Sequence, residues 1–398
     1  MANRLRNLGY QIGTVGFVTL PTVLRFARYL PGMSVRRVPR ALLILGLSIV
    51  GIPLRLVERL RFGRALRRIS IDHPPVFIIG HWRSGTTHLH NLMSQDPSFG
   101  SLSMYQAMVP GSTLVGGRWL KRLLSRVVPE KRPMDNMTWP VDAPQEEEIP
   151  LGKTMPYSFY VQFLFPRRAR RLFRRYVLLE GAPSRAAAEW KRKYLRLLQV
   201  ATVHAAGRPL LLKNPVNTAR IRLLLDLFPD AKFVHISRSP YDVFPSTKKL
   251  HRSILDFTSL EEVHEADIEA TVLDLYEAMM HRYLEDRERI PAGNLVEVRF
   301  EDLERDPMDV LLTIYRGLGL PGFDVAVPRV AAYLRSQAGY RKNCFQLPIR
   351  DALTIEHRWR FAFDALGYER RGVTWRATPE PRRSAPSPVV ASAMQVSA

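Results

Sequence analysis

The chain has 398 residues, 46% of them hydrophobic and 24% charged, which excludes a disordered protein and suffices for one large α/β domain with extensions or for two average domains. Lysine and arginine number 59 against 37 acids, a formal charge of +22 that calls for an anionic partner: nucleic acid, lipid headgroups or a polyanionic co-substrate. The single cysteine, Cys344, excludes an intrachain disulfide and a cysteine-built zinc site, and fits a reducing, cytoplasmic compartment.

Residues 1–70 carry thirteen arginines against one acid, Glu58, around two apolar segments, Tyr10 to Leu24 and Ala41 to Leu54. Each falls short of the roughly 20 apolar residues a membrane-spanning helix needs. Arginines flank both segments, so the pattern predicts a monotopic, membrane-associating extension on anionic headgroups. The alternatives are a signal peptide, which lacks a clear small-residue cleavage site, and a pair of helices packed on the following domain or on a second subunit.

From Pro74 to about residue 375 the texture is α/β. Short apolar runs closed by turns recur at Val76–Gly80, Pro209–Lys213, Lys232–Ser237 and Leu295–Phe300, each followed by a helical pattern. Such alternation predicts a central parallel sheet flanked by helices, with ligands at the carboxyl ends of its strands. Residues 101–206 form a mostly helical, aromatic-rich insertion between the first two strands, placed to act as a lid. Residues 376–398 are rich in proline, serine and alanine and read as a disordered tail.

The first run leads into "VFIIGHWRSGTTHLHNLM", where Gly80 and Gly85 have the spacing of a phosphate loop. Such a loop in a nucleoside triphosphatase places a lysine after the second glycine; here Thr86 stands there, and Arg83 supplies the fixed charge from the other side. The amides of Ser84, Gly85, Thr86 and Thr87 still open a helix, where partial positive charge favours an anion. The cradle is kept without the triphosphate and magnesium apparatus, which argues against a phosphotransferase or nucleoside triphosphatase on this P-loop-like fold.

The same stretch resembles the 5′-phosphosulfate loop of sulfotransferases that use 3′-phosphoadenosine 5′-phosphosulfate (PAPS), whose loops are variants of "PKSGTT". Three further segments follow in the family's order. "KFVHISRSPYDVFPSTKKL" resembles the 3′-phosphate segment, with Arg238 at a strand end and Ser246 in the next helix. "VRFEDLERDP" resembles a late structural element. "MDNMTWPVDAPQEEEIPLG" resembles the "PQEDE" element of the bacterial, tyrosylprotein-sulfotransferase-like branch. In that last segment Asp142, Pro144 and Gln145 also read as a capped helix start whose dipole Glu146, Glu147 and Glu148 would complement. Ser239 reads as the cap of the helix holding Ser246, and Pro245 as a point where that helix kinks or restarts.

The resemblance covers about residues 74–350 and implies sulfuryl transfer from PAPS to a hydroxyl acceptor. It implies that Arg83, Ser84, Gly85, Thr86 and Thr87 hold the phosphosulfate, and that Arg238 and Ser246 grip the 3′-phosphate. Lys213, from "LLLKNPVN", would stabilise the leaving group, and Glu146 would take the acceptor proton, with Glu147, Glu148 or a histidine left open for that role. Arg341 and Lys342 in "GYRKNCF" form a late basic pair, either returned to the 3′-phosphate or merely solvated. Ten histidines lack acidic or cysteine partners at ligand spacing, so no metal site is expected. A basic amino-terminal arm beside such chemistry implies an apolar or lipid alcohol as acceptor, at the inner membrane face. A non-catalytic membrane- or nucleic-acid-binding protein is the alternative, though no nucleic-acid module is recognisable.

Overall fold

The computed structural model describes residues 2–127, 129, 140–337, 339 and 345–372. Arg341, Lys342 and the 376–398 segment lie outside them.

Four parallel strands, β1 (Val76–Ile79), β2 (Leu211–Lys213), β3 (Lys232–Ser237) and β4 (Leu295–Arg299), form one sheet in the order β2-β1-β3-β4. The register pairs Ile78 with both Lys213 and Val234, so the ends of β1 and β2 align. Side chains alternate between two cores. Phe77, Ile79, Leu212 and Phe233 face one, while Val76, Ile78, Leu211, Val234 and Ile236 face the other. Burial on both faces is what continuous apolar strands of a parallel sheet require. The chain leaves β1 toward β2 on one side and returns to β3 on the other, so a crevice opens beyond the carboxyl ends around β1.

Of the ten α-helices that precede β2 among the described residues, eight bear on the site and its approaches. They are α1 (Ala2–Val15), α2 (Leu20–Phe26), α3 (Val38–Val50), α4 (Ile52–Arg67), α5 (Thr86–Met93), α6 (Met104–Met108), α7 (Thr113–Ser125) and α8 (Glu148–Thr154).

The two amino-terminal apolar segments part company. Tyr10, Val15, Val18 and Phe26 are buried in the main core, with Tyr10 against Phe257 and Phe26 against Phe165, so the first segment is not an arm of a membrane hairpin. The second is longer than its sequence suggests. Gly51 keeps right-handed helical angles and Pro53 falls in the first turn of α4, where a missing amide donor is harmless. Val35–Arg67 is thus a 33-residue helix, long and apolar enough by length and composition to cross a membrane.

Gly80 fixes the sheet end of the phosphate loop. Its φ is +144°, and a Cβ there would meet the Ile236 carbonyl oxygen at 2.3 Å. Backbone cannot yield cheaply at such a contact. We expect Gly80→Ala to lower stability by roughly 1–3 kcal/mol or more, read from the urea midpoint; a loss under about 0.5 kcal/mol would show that the strands can part there.

Candidate active site

Between β1 and α5 the chain turns through His81, Trp82, Arg83, Ser84 and Gly85. Arg83 holds a φ of +71°, an uncommon conformation for a residue with a Cβ, and Gly85 follows at +98°. Any side chain at position 85 would strike the Phe300 ring, 2.3 Å from an added Cβ. Gly85 is also the N-cap of α5, and no side chain caps that end, so its first amides have no carbonyl of their own helix to bond.

Three cations reach this loop from the ends of neighbouring strands. The Arg83 Nε donates to Ser246 Oγ at 2.9 Å. Arg238, one residue beyond β3, donates from Nη1 to the Arg83 carbonyl at 3.4 Å, lies 4.6 Å over the Phe300 ring and approaches Asp242 at 3.5 Å. Its Nε is buried with no hydrogen-bond partner. Lys213, the last residue of β2 and 2% exposed, donates to Thr87 Oγ1 at 3.3 Å. Arg83, Thr87, Lys213, Arg238 and Ser246 therefore share one crevice.

Two local expectations need correction. The helix Pro240–Thr258 runs unbroken through Pro245, which removes one amide donor without interrupting the helix, and Ser246 is delivered to Arg83. Ser239 makes no side-chain cap. Its amide instead donates to Glu301 Oε1 at 2.9 Å, so a carboxylate from the helix after β4 fixes the entry.

The three glutamates also depart from a capped helix start. The helix α8 begins only at Glu148, and Asp142 is an exposed partner of Lys121. Glu146 accepts from Lys213 Nζ at 2.6 Å through Oε1 and from the Tyr160 hydroxyl through Oε2, while Trp82 Nε1 donates to that hydroxyl at 3.2 Å. A closed circuit results: from the loop at Trp82, through Tyr160, Glu146 and Lys213, back to the loop at Thr87.

Glu147 and Glu148 are fully buried. Burial pushes the Glu147 carboxyl up to about 8, with the Lys213 charge pulling the other way. Its Oε2 accepts from Asn217 at 3.3 Å and Oε1 has no partner. Burial also raises the Glu148 carboxyl, but Arg220 at 2.5 Å outweighs it. Together with Ser158 at 2.8 Å and Asn214 at 3.2 Å, that guanidinium holds the group below the usual carboxylate range. Only Glu146, at 15% exposure, combines some access to solvent with a hydrogen bond into the crevice. His81 and His90 are driven down to about 3 by burial and stay neutral.

Tyr160, Trp82, Asn217 and Arg220 were not singled out from the sequence. Trp82 lay inside the loop motif, whereas Tyr160 and Arg220 carried no local signal, since their partners are 14 and 72 residues away.

A loop suited to an anion, ringed by strand-end cations and one carboxylate, fits a group transferase. The model of the sulfotransferase family matches residues 74–324, and the chain belongs to that family. It is 34% identical over 347 residues to the omega-hydroxy-beta-dihydromenaquinone-9 sulfotransferase Stf3 of Mycobacterium bovis, covering 87% of each chain, and equally to that of Mycobacterium tuberculosis. Its fold is similar to that of sulfotransferase STF9 from Mycobacterium avium, with a TM-score of 0.66 at 20% identity over 88% of this chain and 97% of that one. Sulfotransferase STF1 from Mycobacterium tuberculosis H37Rv gives a TM-score of 0.63 at 21% identity over 85% and 90%. The protein is a sulfotransferase with an α/β fold and a parallel sheet.

Removing one partner of the buried Glu148–Arg220 pair leaves the other charge uncompensated, so Arg220→Ala should cost roughly 3–5 kcal/mol in urea denaturation. A cost below about 1 kcal/mol would deny the pair its structural role. Glu147 provides a pH test. Its folded-state pKa lies above the unfolded one, so its contribution is full below about 4.5 and is lost as pH rises toward about 8. Glu147→Gln should therefore gain stability relative to the parent between about pH 5 and pH 8; parallel curves across that window would refute the assignment.

Proposed function

We propose that the enzyme moves a sulfuryl group from PAPS to the hydroxyl of an apolar, lipid-class alcohol. The observation that carries this reading is the meeting of Arg83, Lys213 and Arg238 from three strand ends on one loop, with Glu146 bound to Lys213. The buried, unpartnered Arg238 Nε and the tight Gly85 turn suit a bound anion at this place. The donor supplies the electrophilic sulfur and a phosphate oxygen as leaving group.

In this reading Arg83 and the amides of Ser84, Gly85, Thr86 and Thr87 hold the phosphosulfate, and the Thr86 and Thr87 hydroxyls bond its oxygens. Arg238 and Ser246 hold the 3′-phosphate, and Arg83 to Ser246 ties the two ends together. The acceptor oxygen bonds to sulfur as the bond from sulfur to the bridging oxygen breaks, and the electron pair remains on that oxygen beside Lys213. The acceptor proton passes to Glu146. Lys213 serves both halves of the exchange because it already bridges the carboxylate and Thr87.

The acceptor class follows from likeness. The relative named for a hydroxylated dihydromenaquinone matches most of this chain. A hydroxyl on a menaquinone-like or other apolar lipid is the acceptor this supports. Beside Tyr160, a cavity of about 30 Å³ lined by Val15, Val18, Phe26, Phe163 and Leu164 has room for about one water and not for the acceptor.

Arg83→Ala and Arg238→Ala should each weaken adenosine 3′,5′-bisphosphate binding about tenfold or more, a loss near 1.4 kcal/mol in calorimetry; unchanged affinity in both would remove the donor assignment. Glu146→Gln should lower kcat by about a hundredfold or more while bisphosphate affinity stays within about twofold. Full turnover in that variant would move the base elsewhere.

A further inference from the structure

The helix Val35–Arg67 turns an apolar stripe outward. Its buried side mixes Ile44 and Leu66 with Ser48 and Glu58, while Val35, Leu42, Ile49, Pro53, Leu56 and Leu60 follow one another at three-, four- and seven-residue steps and are all exposed. Leu60 is 75% exposed and Leu42 61%. A helix facing only water on that side would carry polar residues there.

Polar bonds along its inner side fasten it to the domain. Arg40 donates to the carbonyls of Asp256 at 2.9 Å and Ser259 at 2.5 Å. Arg55 donates to the carbonyls of Phe17 at 3.3 Å and Ser48 at 2.5 Å. Glu58, buried, accepts the amides of Leu114 at 2.7 Å and Val115 at 3.2 Å at the start of α7. Just past the helix, Gln199 donates to the Ile69 carbonyl at 3.1 Å. The helix is thus fastened side-on to the protein from Arg40 to its far end. Crossing a bilayer would carry the domain it is fastened to into lipid, so a position along the membrane surface suits these contacts better than a span.

From Val35 to Leu60 the open stripe runs about 38 Å at the helical rise. Arg59, Arg61, Arg64, Arg67 and Arg68 continue it, all exposed. Glu58, the sole acid among residues 1–70, is spent inward on α7. The partner of such a face is apolar at its middle and anionic at its edge. The adjoining helix α7 adds Trp119, 54% exposed, with Leu123 exposed one turn on and the exposed Arg118 and Arg122 each one residue before them. Trp next to arginine is the composition of a membrane-interface anchor.

We infer that α3, α4 and α7 form a monotopic docking face on which the protein lies in the surface of an anionic bilayer, with the long axis of α3–α4 in the membrane plane. This face stands apart from the sulfuryl-transfer chemistry and requires no donor.

Flotation with vesicles of phosphatidylglycerol and phosphatidylcholine, against phosphatidylcholine alone, tests it. The full chain should float with the mixed vesicles, bind the neutral ones several-fold less and respond to salt. The triple variant Leu42→Glu, Leu56→Glu, Leu60→Glu should lose about tenfold or more of that binding while keeping the parent affinity for adenosine 3′,5′-bisphosphate. If the triple variant does not fold, Arg61→Glu with Arg64→Glu reads the charged edge alone and should weaken binding to the mixed vesicles at least threefold. Equal flotation of parent and variants would overturn the inference, as would light scattering showing a parent dimer that the triple variant splits. Loss of bisphosphate affinity in the Arg83 and Arg238 variants is read in a separate measurement, so either proposal can fall without the other.

Discussion

An ammonium group taken out of water at the end of a strand has to be paired, and the pairing of Lys213 organises the rest of this site. Desolvating such a group costs several kcal/mol unless a carboxylate and further hydrogen bonds compensate. Glu146 supplies the carboxylate and Thr87 the hydroxyl. Because Thr87 belongs to the phosphate loop and Glu146 to the segment before α8, this one cation fixes the distance between the cradle and the proposed base. In the proposed reaction the donor's arrival would redistribute that pairing: as negative charge came to the loop, the ammonium would gain a second anionic partner and Glu146 would lose part of its own.

The carboxylates next in sequence show why Glu146 alone is left available. Consecutive residues at the start of a helix point in different directions, so three adjacent glutamates meet three environments. Glu148 is locked to Arg220, Ser158 and Asn214, which anchors the turn in the core. Glu147 is buried with one oxygen unpartnered and is kept protonated by desolvation up to about 8. Glu146 then projects back toward β2. The Tyr160 hydroxyl, which burial and the nearby Glu146 charge keep protonated, donates to it and is itself held by Trp82 of the loop. The proposed base is thus oriented from both sides by the loop proposed to hold the donor.

The parts legible in the sequence were those whose physics is local. Four runs gave four strands: β1, β2 and β3 are buried on both faces and need no partner's identity to declare themselves, while the edge strand β4 is half-exposed and alternates. The Gly80 to Gly85 spacing announced the loop, because a positive φ and close backbone approach demand glycine there. Arg83, Lys213 and Arg238 could be read as strand-end cations, but their convergence depends on the order β2-β1-β3, which alternation alone does not specify. Tyr160 and Arg220 act through contacts that leave no periodic trace. At the amino terminus the glycine and proline at positions 51 and 53 read as a break between short segments; their placement at a helix junction and in a first turn joined what composition had divided.

The amino-terminal segment also connects the two proposals physically. α1 is held to the domain by Lys153, whose buried ammonium donates to the carbonyls of Gly13 at 2.8 Å and Met108 at 3.0 Å. Val15 and Val18 line the small cavity whose far wall includes Tyr160, the hydroxyl bound to Glu146. Arg55 of α4 reaches the carbonyl of Phe17 in the same stretch. One short segment is thereby shared between the outward-facing helix and the wall behind the proposed base. Displacing residues 13–18 would therefore disturb the wall behind Tyr160 and the seat of Arg55 before it disturbed the loop proposed to hold the donor, which is built on β1, β2 and β3.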